Sequence, residues 1–278
     1  MTRLPLTNKP SGHWPFSAWP PSFVLRHLAF VICLLLPAAT VLADSNQIVL
    51  EQIQTMPAGG GYATTLKAHA GLASSVQARE TVAIDPTRAM PGYCSGATYL
   101  VFLKTLEALQ NRGEVPIPPA TWQALIPRLR PDGKDTLPDG ESVWGRWNAN
   151  GPGTARLFYE LGLGRNFTGF SEAKPGDFLK IFRTDAVGRK ETGHSVIFLG
   201  TETVDGVEQV RFWSSNHPDG FGEKSVPREK IARAIFSRLE HPEKIHSWKK
   251  LPFRDGYLAR LLKTESSFAE ARKMSGLP

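Results

Sequence analysis

Asp205-Gly206 stands between two runs rich in β-branched and aromatic residues, one opening at Gly193-His194-Ser195-Val196-Ile197-Phe198-Leu199 and the other covering Val207 to Ser214. Both residues of such a pair accept the positive φ of a tight turn whose twist matches paired strands, so Asp-Gly is the strongest short-range hairpin signal. A third run, Phe178-Leu179-Lys180-Ile181-Phe182, follows Pro175-Gly176-Asp177 and is separated from the others by a polar loop. The three runs predict an antiparallel meander, with His194 at the start of its middle strand behind a glycine.

Ahead of the meander the pattern turns helical. From Cys94 to Arg112, Ala97, Leu100, Val101, Leu103, Leu106, Ala108 and Leu109 recur at helical intervals, and Gly113 supplies a stop. Pro91-Gly92 breaks whatever precedes, so Cys94 falls in the first helical turn, where unpaired N–H groups and the positive end of the dipole favour thiolate over thiol. Helical patterns also cover residues 62 to 80 and Gly153 to Leu161. Pro57-Ala58-Gly59-Gly60-Gly61 lacks the following Gly-Lys-Ser/Thr of a phosphate loop and reads as a flexible turn. Helices before a meander give an α+β fold, with the cysteine-bearing helix packed on an antiparallel sheet.

The compartment decides what the cysteine means. Leu28 to Ala43 is an apolar run that follows Arg26-His27 and ends in small residues fitting a Val-x-Ala cleavage site, so residues 1–43 read as a signal peptide with an atypical N-terminal extension rich in Pro and Trp. A proline within the run makes it a poor permanent span, and no stable membrane insertion is expected after the leader is removed. Cys33 leaves with it. The remaining 278 − 43 = 235 residues suffice for one well-buried domain, and they keep a single thiol, which cannot form an intramolecular disulfide. Residues 44–85 read as an N-terminal helical segment, 86–240 as the main domain, and 241–278 as a basic helical tail packed on it. The formal charge is +7. Residues 224–263 carry eleven Lys or Arg against four acids, a bias that suits a solvated face or an anionic polymer. No nucleic-acid module is discernible.

Cys94-Ser95-Gly96 opening a helix, Pro175-Gly176-Asp177 before a strand, and Gly193-His194 leading an aliphatic strand that ends in Leu199-Gly200 form an ordered set. Across residues 90–217 this order resembles the NlpC-type and CHAP-type papain-like cysteine peptidases and amidases of bacterial cell walls. The chain departs from them in the spacing of 100 positions from Cys94 to His194, and in lacking a Tyr-x-x-Gly-Gly stretch just before the cysteine. The resemblance implies a thiolate–imidazolium pair of Cys94 and His194 performing acyl transfer, with no cofactor and a third residue orienting the imidazole. The backbone N–H of Cys94 is the expected oxyanion donor, and Asp177 is expected to be structural.

The third residue should come from the strand beside His194. If Asp205-Gly206 is a two-residue loop, Val204 faces Val207 and His217 faces His194, with Ser215 nearby; one bulge brings Asn216 there instead. An amide oxygen accepts from imidazole Nδ1–H without competing as a base, which ranks Asn216 ahead of His217 and Ser215. Trp144-Gly145-Arg146-Trp147-Asn148 resembles a loop whose Trp144, Trp147 and Asn148 could hold sugar rings or peptide stems. The scattered histidines and unpaired cysteine supply no metal ligand set. The reading is an exported hydrolase, in the periplasm or at the cell surface, cleaving peptidoglycan amide bonds, with stem-peptide cleavage preferred over cleavage between sugar and peptide. A Cys-dependent acyltransferase and a non-catalytic wall-binding scaffold on the same fold are the alternatives. The sequence carries no signal of oligomeric state.

Overall fold

The computed structural model describes residues 12, 44–79, 81–133 and 139–278. The expected leader, apart from Gly12, lies outside the described residues. In chain order the elements are α1 (Ser45–Gln54), β1 (Gly59–Gly60), α2 (Leu66–Ser74), β2 (Val76–Ala78), β3 (Val82–Ile84), α3 (Cys94–Asn111), α4 (Pro119–Leu125), α5 (Ser142–Asn148) and α6 (Gly153–Leu161). There follow β4 (Gly164–Phe167), β5 (Phe178–Phe182), β6 (Ala186–Gly188), β7 (His194–Val204), β8 (Val207–Asn216), β9 (Gly220–Pro227), β10 (Arg233–Leu239), α7 (Gly256–Leu261), β11 (Glu265–Ser267) and α8 (Phe268–Met274).

The expected meander β5-β7-β8 is the centre of a seven-stranded antiparallel sheet ordered β1-β9-β8-β7-β5-β10-β4. β9 and β10 come from residues whose sequence shows foremost a bias of charge. Phe221 in β9 and Ala234, Ile235 and Phe236 in β10 are buried, while the charges Glu223, Lys224 and Arg233 stand at exposed positions toward the strand ends or the sheet edge. Residues 44–85 hold two helices and a short hairpin that pack on the main domain. α1 delivers Ile48, Val49 and Ile53 into the same core as α3, the β2–β3 hairpin interrupts the expected second helix, and one unit spans Leu42–Pro278. The tail from 241 is likewise not purely helical, since β11 pairs with β6.

The helix layer covers one sheet face. There Tyr99, Leu100, Phe102 and Leu103 of α3 join a core with Trp147, Phe158, Phe178, Ile197 and Trp213. On the other face Leu179, Val196, Phe198, Phe212 and Phe236 form a second core, closed by Phe170 against the Phe198 and Phe236 rings. Asp177 ties the layers together: buried, it accepts from Arg238 Nε at 2.8 Å, Asn46 Nδ2 at 2.9 Å and the Lys174 N–H at 2.7 Å. Among the described residues no helix is long and apolar enough to cross a membrane.

Candidate active site

Cys94 is the first residue of α3, after the extended N-cap residue Tyr93, which offers no side-chain cap to the first N–H groups. The helix axis therefore aims its unpaired donors at the thiol. Gly92 must be glycine for the approach to Cys94, because a Cβ there would meet Phe221 Cε1 at 2.6 Å.

His194 opens β7, and its position depends on Gly193, which has a φ of +79° and where a Cβ would meet Lys180 Cε and Phe182 Cε1 at 2.7 Å each. The residue facing His194 is set by the register of the hairpin. Val204 pairs with Val207 and Gly200 with Arg211, but beyond a bulge at Leu199 the pairs become Phe198 with Phe212 and Ile197 with Trp213. Continued to the strand end, that shift sets Asn216 opposite His194, and Asn216 Oδ1 lies 3.3 Å from His194 Nε2. Asn216 Nδ2 donates to Gly222 O at 2.9 Å and to Ser214 O at 3.4 Å, so the amide oxygen is the atom presented to the ring. The nitrogen differs from the expected one. Nε2 meets the asparagine, which leaves Nδ1 for the sulfur.

His217 and Ser215 do not take that place. His217 is exposed on the cavity rim, its ring 5.9 Å from that of Tyr62. Ser215 follows Trp213 by two residues and turns with it toward the helix layer, where its hydroxyl is buried with no hydrogen-bond partner among the described residues. The tryptophan expectation is also corrected. Trp144 and Trp147 are 0 % exposed and sit on the inward side of α5 rather than in a loop. Trp147 stacks on Phe102 at 4.9 Å and donates to Thr98 Oγ1, and Trp144 packs on Tyr99. Asn148 does not line the cavity; its Oδ1 accepts from Ser95 Oγ at 2.6 Å, steadying the residue next to Cys94.

Two neighbours of the thiol were missed by sequence reasoning. Tyr62 is held by backbone bonds from both sides: its N–H donates to Pro218 O, the next N–H (Ala63) to Gly92 O, and the preceding glycines of β1 pair with β9. Its hydroxyl hydrogen-bonds Cys94. Burial first, then the charge and hydrogen bond of Cys94, push the phenol well above its ordinary value, so it stays a donor. Lys180 is the second. It points from β5 into the helix layer, buried, with Nζ 3.2 Å from Ser195 Oγ and 3.4 Å from Ala149 O. Burial lowers its pKa, and the neighbouring Cys94, Asp139 and Glu191 oppose that.

Burial alone would raise the Cys94 thiol. The hydrogen bond and charge of His194, then the Lys180 ammonium and the Ser195 N–H, overcome it and bring the pKa down to about 6. At neutral pH the sulfur is therefore mostly thiolate. It faces a cavity of about 390 Å³ that Tyr62, Cys94, His194, Phe212, Asn216 and His217 help to line. Such an arrangement supplies a nucleophile, a proton carrier fixed by an amide, and a neutral donor beside the attacking atom. No protein-family model, curated protein or solved structure matches the chain.

Proposed function

We propose that the protein is an exported papain-like cysteine hydrolase that cleaves amide bonds in peptidoglycan, with the stem peptide preferred over the sugar–peptide junction. The observation that carries this reading is the convergence of Cys94, His194 and Asn216, drawn from a helix start and two adjacent strands, on one cavity. The ordered motifs around these residues resemble those of cell-wall enzymes, and the apolar leader-like run at residues 28–43 supports export.

In this reading the Cys94 thiolate attacks the carbonyl carbon, and the oxygen's developing charge is met by the Cys94 N–H and the Tyr62 hydroxyl. The tetrahedral intermediate collapses with cleavage of the C–N bond as His194 gives its proton to the leaving amine, and a thioester remains on Cys94. Water then attacks the thioester, His194 takes the water's proton, and the carboxylic acid leaves as the thiolate is regenerated. Asn216 keeps the imidazole plane aligned through both steps. Lys180 stabilises the thiolate from beneath.

The test is digestion of purified muropeptides, with mass spectrometry of the products. New free amine and carboxyl ends from the parent protein, and none from Cys94→Ser, support the hydrolase. Wall binding without cleavage, the same in both proteins, supports the scaffold alternative and refutes the hydrolase.

A further inference from the structure

The charges around the cavity bear on which substrates the proposed hydrolase accepts, so their role rests on that reading. Arg183 stands just beyond the end of β5, and Lys224 lies in β9 on the sheet face shared by Phe212 and His194. Both line the cavity, on either side of the cysteine–histidine pair, and both are exposed. Lys224 Nζ donates only to a backbone oxygen, His217 O at 3.2 Å, and the Arg183 guanidinium has no ion-pair partner among the described residues.

No carboxylate is ion-paired to either side chain among the described residues. Glu191 accepts the Arg183 and Gly193 backbone N–H groups, one on each oxygen. Glu223, next to Lys224 in sequence, points to the opposite sheet face and pairs with Arg211 at 3.0 Å. Asp185 pairs with Arg233. Arg183, Lys224, His194 and His217 are the titratable nitrogen bases of the lining, and no Asp or Glu lines it.

We infer that Arg183 and Lys224 select substrates bearing a free carboxylate next to the scissile amide. A guanidinium offers a carboxylate two parallel N–H donors, and a flexible ammonium adds a mobile point charge. A neutral or amidated group at that position gains neither contact.

The test compares alkylation of Cys94 by iodoacetate, which carries a carboxylate, and by iodoacetamide, its neutral analogue. It uses the full chain at pH 7 and low salt, in the parent and in the double variant Arg183→Gln/Lys224→Gln. The parent is expected to favour iodoacetate relative to free cysteine, and the double variant to lower the iodoacetate-to-iodoacetamide rate ratio roughly three- to tenfold, as expected for exposed charges. High salt should shrink the difference. A ratio unchanged by the double substitution overturns the inference. The hydrolase reading is judged separately, by the muropeptide products and the speed of iodoacetamide labelling.

Discussion

Replacing His194 by Ala removes the strongest group holding the Cys94 thiol below its ordinary value, and its effect on alkylation can be worked out. The parent thiol sits at about 6 against an ordinary 9.0. If the whole difference were lost, the thiolate fraction at pH 6 would fall from about one half to about 0.1 %, roughly 500-fold. The thiolate that remains is more basic and so more reactive. With a Brønsted slope of about 0.4 to 0.5, a thousandfold rise in basicity returns roughly 20-fold. The net change is a rate about 25-fold lower at pH 6, about fivefold lower at pH 7 and about twofold higher at pH 8. Burial, which raises the thiol, and Lys180 and the Ser195 N–H, which lower it, all remain in the variant, so the midpoint should rise above 6 by an amount the profile itself reads.

The assay is the iodoacetamide rate across pH 5 to 9, with thermal melting to show that the variant is folded. The expected result is a pair of profiles that cross, the parent ahead in acid and His194→Ala ahead in mild base. A single measurement near pH 7.5 would show almost no difference, although the site had been dismantled. Overlaid profiles with a common midpoint would refute the claim that the imidazole activates the sulfur.

Lys180→Met removes a buried cation while keeping a comparable volume. Because the ammonium favours the thiolate, the alkylation midpoint should rise above that of the parent; a midpoint that stays put means the lysine is uncharged in the fold. Asn216→Ala should slow Cys94-dependent amide cleavage roughly 10- to 100-fold through loss of imidazole alignment, with little change in iodoacetamide labelling, since the sulfur's neighbours are intact; equal loss in both measurements would point to local unfolding instead. Trp147→Ala should destabilise the protein by about 3 to 5 kcal/mol, as expected for a buried indole, yet leave wall binding per folded molecule unchanged. Wall binding abolished at temperatures where that variant is still folded would restore the substrate role the buried position argues against.

Much of the site was legible wherever a local rule fixed a residue. Pro91-Gly92 and the apolar period beyond it placed Cys94 at a helix start, and Asp205-Gly206 fixed the Val204–Val207 pair that governs the hairpin. The bulge at Leu199 was foreseeable only as an alternative, because which residue is extruded depends on how the sheet curls over the Phe198–Phe236 core rather than on the turn. Lys180 left a trace that went unread: a lysine inside Phe178-Leu179-Lys180-Ile181-Phe182, in a strand with neighbours on both sides, has no solvent to reach and so must have an internal role. The tryptophans of α5 stand three apart, the spacing of one helix face, but the flanking Gly and Asn residues suggested a loop. Tyr62 had no comparable signal. It reaches the sulfur because Gly59–Gly60 add to the open edge of β9 while Gly61 and Ala63 bond to Gly92, a long-range closure that depends on backbone groups every sequence possesses. Side-chain chemistry marks the thiol and the imidazole in advance, whereas the tyrosine that completes the cavity is brought in by main-chain pairing, and only the folded sheet edge determines which residue that is.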